Sequence, residues 1–426
     1  MINYSRLCYC MKRELIGFSK KICKGLGKPE KKLVTNMLYG VSESQSCHLS
    51  KISRALKEKI SLKKTIERLS RGLSDFSSVE CLAENYINTI KRDIDDKTIL
   101  IIDGSDIAKP YSKKLEDLCE VKDGSTGEIT QGYFMLEMTA LTEKHKMPIP
   151  VYSKIYSSKE EGFISEDAEV LNGLKCLTAQ FGRKGIRALD RGYDALVYYS
   201  YFIKETEAFI IRCKKNRNII YKEETRNILD VANQFKGKYR MDFLDKSGRK
   251  IECKLSIIPV ALPMHPQKQL NLVVIYGFGE NPMMLLTNLK SDDNRLCVTV
   301  AKVYLMRWRI EEYYRFKKQQ FEFEDFRVRS LNAIRSLNLL VNALIGLIGT
   351  LSEKLDDSLF VAELIAASKR IYGIKKKNGR LKFIYYAIAD GIFSVLNKST
   401  TGISSFISQP LRQLSGQLSF LSVTVT

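Results

Sequence analysis

Histidine and paired cysteines are the first things that the sequence lacks. Its 426 residues include three histidines (His48, His145 and His265) and ten dispersed cysteines without any Cys-x-x-Cys pair. A structural zinc site needs closely spaced Cys or His ligands. The sequence therefore argues against a zinc site, and we interpret the cysteines as the reduced thiols of an intracellular protein.

A membrane-spanning run of apolar residues is also lacking. The most apolar stretch, residues 336–351, contains two asparagines and is shorter than the roughly 18–20 residues that cross a bilayer. Lys and Arg interrupt residues 1–30, which differs from the pattern of a secretory signal. We therefore predict a buried core helix over 336–351 and a cytoplasmic protein without a membrane partner.

Acidic residues are in deficit. The chain has 69 Lys and Arg against 48 Asp and Glu, a formal net charge of +21, and such an excess favours nucleic acid first and anionic membrane second. Residues 1–71 alone hold 17 basic and 5 acidic residues, a net charge of +12. Residues 48–72 have helical spacing of Ile and Leu with Lys and Arg between. They form either an ordinary solvated helix pair or a DNA-binding module, and the local charge favours DNA.

An α/β core is predicted to begin near residue 97, where apolar, β-branched runs begin to appear in the sequence. Apolar, β-branched runs predict strands at 97–103, 132–141, 149–157, 185–190 and 208–214. Helical periodicity predicts one helix between the third and fourth strands, and another, capped by Asp194, between the fourth and fifth. Three strands, a helix, then strand, helix, strand is the order expected of a ribonuclease-H-like core.

The rest of the chain completes the predicted architecture. Strand-like runs around the turns DKSG and GENP predict an all-β insertion, and helices follow it, with a basic loop at 373–380. The predicted regions are a helical, basic, DNA-binding domain at 1–95, the first part of the core at 96–217, the β insertion at 218–297, the final core helix at 298–335, and a helical C-terminal region, a candidate for dimerisation, at 336–426.

Three carboxylates are the candidate catalytic groups. Asp103 and Asp190 each end an apolar strand, where clefts form at the rim of an open sheet, and Glu311 lies on the later helix. Carboxylates with few histidines suit hard cations such as Mg²⁺ or Mn²⁺, and two such ions activate an attacking oxygen and stabilise a leaving oxygen at a phosphodiester. Asp106 and Glu312 are interpreted as acids without a catalytic role.

The stretch YLMRWRIEEYYRFKKQQF, residues 304–321, has an unusual charge pattern. Tyr304, Arg307, Glu311 and Lys318 stand at offsets of 0, 3, 7 and 14, which places them on one narrow stripe of a continuous α-helix. Most surface helices scatter their charges over a broad face. The pattern places a single acid among cations and aromatic rings, and Arg and Lys near a metal site can hold the flanking phosphates.

The spacing Y-x2-R-x3-E-x6-K resembles the Y-R-E-K signature of the insertion-sequence-four family of DDE transposases. The stretches IIDGSD around Asp103 and DRGYD around Asp190, with a β insertion before Glu311, extend the resemblance over about 97–330. The resemblance implies that Asp103, Asp190 and Glu311 form the catalytic, metal-binding triad. It also implies contacts to transposon-end DNA from Tyr304, Arg307 and Lys318, and Arg191 beside Asp190 is a further candidate phosphate contact.

The predicted function is that of a DNA transposase of an insertion sequence, which cleaves transposon ends and transfers strands into target DNA. The predicted cofactors are two Mg²⁺ or Mn²⁺ ions without an organic cofactor, and the predicted form is a nucleoid-associated homodimer on DNA. Two alternatives are a ribonuclease-H-like nuclease without strand transfer and a catalytically silent DNA-binding relic. The helical N-terminal module and the β insertion argue against the first, and the intact carboxylates and signature argue against the second.

Overall fold

The chain forms two compact units, which we call the sheet unit and the helical unit. The computed structural model describes residues 2–124, 126–143, 147–244, 250–290, 295–369, 376–377, 380–381 and 384–408. The sheet unit comprises Ile90–Pro110 and Cys119–Tyr313. The helical unit comprises Met1–Thr89, Tyr111–Leu118 and Tyr314–Thr426.

Helices and strands are numbered along the chain. The α-helices are α1 Tyr4–Ile22, α2 Lys28–Ser44, α3 Leu49–Ala55, α4 Leu62–Ser74, α5 Val79–Ile90, α6 Glu166–Phe181, α7 Leu196–Glu205, α8 Ile228–Asn233, α9 Leu296–Met306, α10 Arg309–Gln320, α11 Leu331–Glu353, α12 Leu359–Ala367, α13 Ile384–Leu396 and α14 Ile403–Ile407. The strands are β1 Ile99–Ala108, β2 Cys119–Lys122, β3 Ile129–Leu141, β4 Ile149–Tyr156, β5 Ile186–Leu189, β6 Phe209–Arg212, β7 Asn218–Tyr221, β8 Glu224–Asn227, β9 Tyr239–Leu244, β10 Lys250–Leu262, β11 His265–Tyr276, β12 Met283–Thr287, β13 Lys376–Lys377 and β14 Arg380–Leu381.

Twelve strands of the sheet unit form one mixed sheet. Their order is β2-β3-β1-β5-β6-β12-β11-β10-β7-β8, with β4 paired to β3 and β9 paired to β10. β1, β5 and β6 are parallel neighbours, and β3 runs antiparallel to β1. The first four residues of β1 are all buried, because a parallel strand in the middle of a sheet is covered on both faces.

The predicted order of elements is confirmed, since β1, β3, β4, α6, β5, α7 and β6 follow one another with β2 as an added short strand. The all-β character of the insertion at 218–297 is not confirmed, because α8 lies within it. Its strands also continue the core sheet, with β12 pairing to β6. A strand edge presents unpaired N–H and C=O groups, and β12 satisfies those of β6. The DKSG turn lies outside the described residues.

Asp194 has a different role from the predicted helix cap. Ala195 holds the N-cap position of α7, whereas the Asp194 carboxylate accepts hydrogen bonds from Lys214 N at 2.7 Å, Tyr199 Oη at 2.8 Å and Arg217 Nε at 2.9 Å. Two of these three donors, Lys214 N and Arg217 Nε, belong to the loop that follows β6. Asp194 fastens that loop to α7.

The helical unit is built around α11, which packs against α2, α4 and α13. By length and composition α11 could cross a membrane, but 83% of its most apolar window is buried inside the protein. Gly346 lets Tyr86 approach closely, since a Cβ at this position would lie 2.3 Å from the Tyr86 hydroxyl oxygen. The prediction of a buried core helix is confirmed.

Helices from both ends of the chain share the helical unit, although the sequence predicts them as separate regions. The buried Lys12 of α1 donates to Ser399 Oγ and to the Thr401 carbonyl oxygen, both at 2.7 Å. α13 packs against α1 and α2. The basic loop predicted at 373–380 lies largely outside the described residues.

Candidate catalytic site

Two aspartates lie side by side where the parallel pairing of the sheet ends. β1 pairs with β5 up to Ile102 and Leu189, and Asp103 and Asp190 are the next residues. Because neighbouring strands are about 4.8 Å apart, the two side chains leave the sheet at the same level. The prediction that Asp103 ends its strand is wrong, since β1 continues to Ala108 along β3. Only its pairing with β5 ends there.

Glu311 is carried by α10, which the sequence predicts as part of one continuous helix. Instead, α9 ends at Met306 and α10 begins at Arg309. Between them the Arg307 N–H bonds the carbonyl oxygen of Tyr304, three residues earlier, at 2.9 Å. This is the spacing of a 3₁₀ turn, which turns the chain by more per residue than an α-helix does. The ideal stripe predicted for the signature residues is therefore corrected to two helices with a tight turn between them.

Asp103 is influenced by the charges of the other two carboxylates. Burial raises the pKa of Asp103 to about 7, the Arg307 guanidinium opposes this rise, and the charges of Asp190 and Glu311 add to it. Charges shift a pKa in this way at short range. Acids from three distant stretches of the chain therefore come together at the end of the parallel strands, with Glu311 exposed in the first turn of α10.

Arg307 is the counter-ion of this acidic group. Its Nη1 lies 3.5 Å from Asp103 Oδ2 and its side chain is 16% exposed, and the guanidinium carbon lies 5.9 Å from the centre of the Tyr304 ring. Arg307 Nε is buried and has no hydrogen-bond partner among the described residues. A buried donor left unpaired costs about 1–3 kcal/mol. The guanidinium shares a side-chain hydrogen bond with Tyr304, so Nε is the donor that the described residues leave unsatisfied.

Tyr304 is a largely buried residue, 5% exposed, whose ring belongs to an apolar cluster with Leu285 and Val300. Burial raises the pKa of its hydroxyl, the charges of Arg307 and Arg212 oppose the rise, and Asp190 adds to it. The phenol therefore lies among the charged groups of the site, with its ring in the core.

Arg212 is a cation of the site that the sequence analysis missed. Leu189 pairs with Ile211, so Arg212 is the neighbour of Asp190 on the next parallel strand. The signal was present, because Arg212 lies near the end of the strand predicted at 208–214. Tyr193 was also missed, although it stands within the quoted DRGYD. Burial and the charges of Asp103 and Asp190 raise the pKa of the Tyr193 hydroxyl.

Glu137 connects the sheet with the helix that carries Glu311. It is fully buried and is the cross-strand partner of Asp103. Its carboxylate accepts hydrogen bonds from Ser153 Oγ at 2.8 Å and from the Tyr313 hydroxyl at 3.1 Å. Tyr313 follows Glu311 by two residues on α10, so this bond holds the first turn of that helix against β3.

The remaining predicted residues have separate surroundings. Lys318 lies in the part of α10 that belongs to the helical unit, where its Nζ is 2.8 Å from Glu324 Oε1. Arg191 is exposed. Asp106 accepts a hydrogen bond from Gly124 N at 3.2 Å, and Glu312 is buried with 7% exposure.

A second group of metal-ligand atoms lies in the helical unit. One ligand atom each from His48, Glu322 and Asp325 lies within 4.8 Å of the others. Glu322 Oε2 already accepts a hydrogen bond from Lys51 Nζ at 2.7 Å. This acid therefore already has a cationic partner, and we assign the cluster to an ion-pair network.

The donor set around Asp103 fits a hard divalent cation. Its three carboxylates offer oxygen ligands, which Mg²⁺ and Mn²⁺ prefer. Their mutual repulsion contributes to the raised pKa of Asp103, and a bound dication relieves such repulsion. The site combines an acidic group suited to cations with a buried guanidinium donor suited to an anion.

Comparison with known proteins gives one family match. Residues 171–347, which include Asp190 and Glu311 and begin after Asp103, match the family model described as "Transposase DDE domain". A search of curated protein sequences finds no match. A similar solved structure is the cryo-EM structure of a piggyBac transposase synaptic complex with hairpin DNA, with 10% identity and a TM-score of 0.46 over 100% of this chain and 86% of that chain. A likeness at this level adds nothing to the assignment of function.

Proposed function

We propose that this chain, which is a DNA transposase by its DDE domain, belongs to the insertion-sequence-four type and joins the freed 3′ hydroxyls of its element to target DNA. The domain match makes it a metal-dependent enzyme that cleaves nucleic acid and transfers strands. A nuclease without strand transfer and a silent relic are not favoured. The observation that carries the finer proposal is the position of Arg307, a residue of the Y-R-E-K spacing, whose Nη1 lies 3.5 Å from Asp103 Oδ2.

The proposed core is ribonuclease-H-like. Support comes from the strand order β4-β3-β1-β5-β6, in which β1, β5 and β6 run parallel and β3 runs antiparallel. Neighbouring parallel strands supply two acids at one edge, where open α/β sheets bind ligands. The extension of this sheet by the strands of 218–297 distinguishes the chain from a bare core.

Asp103, Asp190 and Glu311 are the proposed ligands of two Mg²⁺ or Mn²⁺ ions. When bound, such ions activate an attacking oxygen and stabilise a leaving oxygen at a phosphodiester. Carboxylates ligate in their deprotonated form, so Asp103 would hold such an ion as the carboxylate. Arg307, which pairs with Asp103 in this structure, would be a candidate contact to a DNA phosphate.

Further contacts to DNA are proposed for Tyr304, Lys318 and Arg191. The N-terminal helices supply the end-binding surface in this proposal, because α3, α4 and the segment between them expose many cations. Exposed examples are Lys59, Lys63, Lys64 and Arg71. Such cations neutralise phosphates and release counter-ions.

The proposed working form is a homodimer that holds two element ends in the nucleoid of the cytoplasm. Two ends must be cut and joined together, whereas one chain supplies one set of Asp103, Asp190 and Glu311. No organic cofactor takes part in the proposed reaction.

The test is cleavage of duplex DNA that carries the ends of the chain's own element, with Mg²⁺ and a target plasmid. We expect nicked ends and joined products from the wild type and from the matched control Asp106→Asn. Asp190→Ala should give neither while remaining folded. Cleavage without joining would indicate a nuclease that does not transfer strands. A folded wild type that cuts with neither Mg²⁺ nor Mn²⁺ would refute the proposal.

A further inference from the structure

Tyr193 closes a short turn that begins at one of the three acids. The 3₁₀ turn Arg191–Tyr193 has Asp190 at its N-cap position. Asp190 Oδ1 accepts the Gly192 N–H at 2.7 Å, and the Tyr193 N–H bonds the Asp190 carbonyl oxygen at 3.3 Å. These two hydrogen bonds fix the backbone of the tyrosine relative to the acid that follows β5.

The Tyr193 side chain reaches from this turn to the neighbouring strand β1. A Cβ added to Gly104 would lie 3.4 Å from the Tyr193 hydroxyl oxygen, so this oxygen lies beside the backbone of β1, one residue beyond Asp103. Burial is the largest cause of the raised pKa of the hydroxyl, and the charges of Asp103 and Asp190 are the next two causes. The Tyr193 hydroxyl is therefore close to both acids.

Aromatic packing holds the Tyr193 ring in this direction. The ring meets that of Tyr198 on α7 edge to face, with 5.5 Å between the ring centres and 70° between the planes, an arrangement that aromatic pairs favour. The Tyr198 hydroxyl in turn donates to Asp167 Oδ1 in the first turn of α6. The orientation of Tyr193 is thus set by its turn and its ring contacts.

The hydroxyl of Tyr193 has no such partner. Within the part of the chain that the structure describes, it makes no hydrogen bond to another residue. Phenylalanine would make the same ring contact with Tyr198, so the packing of the ring does not require the oxygen. A phenol can donate one hydrogen bond, and the carboxylates of Asp103 and Asp190 are acceptors close to it. The hydroxyl is therefore a donor directed to the acidic group.

We propose that Tyr193 is a positioning residue of the metal site, whose hydroxyl donates a hydrogen bond to the Asp103 carboxylate when that acid holds a divalent cation. Carboxylates that ligate a metal are held by outer hydrogen-bond donors, which orient their oxygens. Arg307 pairs with Asp103 at 3.5 Å, but a guanidinium repels a dication, whereas a neutral phenol does not. The inference rests on the proposed function, and it adds a residue that lies outside the Y-R-E-K signature.

The test measures Mn²⁺ binding to the full metal-free chain by isothermal titration calorimetry at pH 8 without DNA, so that the readout does not depend on cleavage. Tyr193→Phe removes the hydroxyl and keeps the ring. We expect its Mn²⁺ affinity to fall about tenfold, while its urea midpoint in EDTA equals that of the wild type. Tyr198→Phe is the matched control, because it removes the hydroxyl of the adjacent ring, which bonds Asp167, and it should keep the wild-type affinity for Mn²⁺.

Cleavage of end DNA gives a second readout. Tyr193→Phe should need about tenfold more Mn²⁺ for its half-maximal rate and should come within about twofold of the wild-type rate at saturating Mn²⁺. Its affinity for end DNA in EDTA should equal that of the wild type. A residue that only supports the fold would not be rescued in this way by the metal.

The outcomes separate the positioning role from the proposed function. Equal Mn²⁺ affinities of Tyr193→Phe and a wild type that cleaves refute the role of the hydroxyl alone. An equal loss of affinity in Tyr198→Phe, or a lowered urea midpoint of Tyr193→Phe, assigns the effect to packing and overturns the inference, as does a folded wild type that binds no Mn²⁺. Loss of affinity in Tyr193→Phe, with a wild type that binds Mn²⁺ but cuts no end DNA, refutes the proposed function alone.

Discussion

Asp103 and Asp190 occupy matching positions on neighbouring parallel strands, each one residue beyond the Ile102–Leu189 pair. Burial and the repulsion between these acids keep the Asp103 proton up to a pH of about 7. Arg307, 3.5 Å away, offsets part of that repulsion. The metal-free site is therefore under electrostatic strain, which a dication or a neutral substitution relieves.

Asp103→Asn is expected to stabilise the metal-free protein against unfolding at pH 8. The carboxyl ionises near 3.8 in the unfolded chain and at about 7 in the fold, so the unfolded state binds fewer protons between these values. The stability of the wild type therefore falls as the pH rises from about 4 to about 7. Asparagine avoids this loss, which amounts to about 2–4 kcal/mol for a side chain that is 20% exposed.

Urea unfolding in EDTA at pH 5 and pH 8 measures this gain, which should be larger at pH 8. The matched control is Asp106→Asn, three residues along the same strand, which should show no gain that grows with pH. Equal free energies of unfolding for the wild type and Asp103→Asn at pH 8 would contradict the raised pKa.

Binding of Mn²⁺ should strengthen between pH 6 and pH 8. Because Asp103 must lose its proton to ligate, affinity is expected to fall about tenfold for each pH unit below about 7. Arg307 lowers the pKa of Asp103, so Arg307→Ala should move the whole profile to higher pH. Isothermal titration calorimetry across this range provides the test, and a profile without pH dependence would speak against Asp103 as a ligand.

Arg307→Ala and Lys318→Ala should each weaken binding to end DNA and flatten its dependence on salt. Each lost phosphate contact reduces the slope of log affinity against log salt by about 0.9. Lys302→Ala is the matched control, because Lys302 is an exposed cation of α9 outside the signature. If both variants follow the salt series of the wild type, these residues are ordinary surface cations.

Tyr313→Phe should slow cleavage about tenfold while leaving DNA affinity unchanged. The variant loses the 3.1 Å bond to the buried Glu137, a type of bond worth about 1.5–3 kcal/mol, and so loosens the turn that carries Glu311. Tyr276→Phe, which loses a 2.7 Å bond to the Ala232 carbonyl oxygen, controls for stability alone. Equal cleavage rates for the two variants would remove the positioning role of Tyr313.

The chain should form a dimer when two element ends are present. Its net charge of +21 makes free chains repel, and DNA neutralises that charge. Light scattering with and without end DNA should show a change from one chain to a complex with two chains and two ends. A cleavage-competent complex of one chain with one end would refute the homodimer.

Features set by local sequence could be predicted. The β-branched run of β1 indicates a strand with both faces covered, and residues 99–102 are indeed all buried. The apolar run of 336–351 indicates a core helix, which is α11. The spacing of Arg307 and Glu311 pointed to the region where both influence Asp103.

Features that depend on distant partners could not be predicted. Proline or glycine usually marks a helix break, and neither stands at Arg307 and Trp308, where α9 gives way to α10. The pairing of β12 with β6 joins strands far apart in sequence, so the segment at 218–297 could not be recognised as a continuation of the core sheet. The hydrogen bond from Tyr313 to Glu137 likewise joins residues that no local pattern relates.

The pairing of β6 with β12 has a consequence for folding of the chain during translation. Ile211 cannot pair with Leu286 until Leu286 has been translated. At about 5–20 residues per second, the outer edge of β6 therefore stays unpaired for about 4–15 s. Glu311 is translated later still. The nascent chain thus holds Asp103 and Asp190 before the sheet is closed and gains Glu311 only afterwards, so the order of translation delays the assembly of the proposed catalytic site.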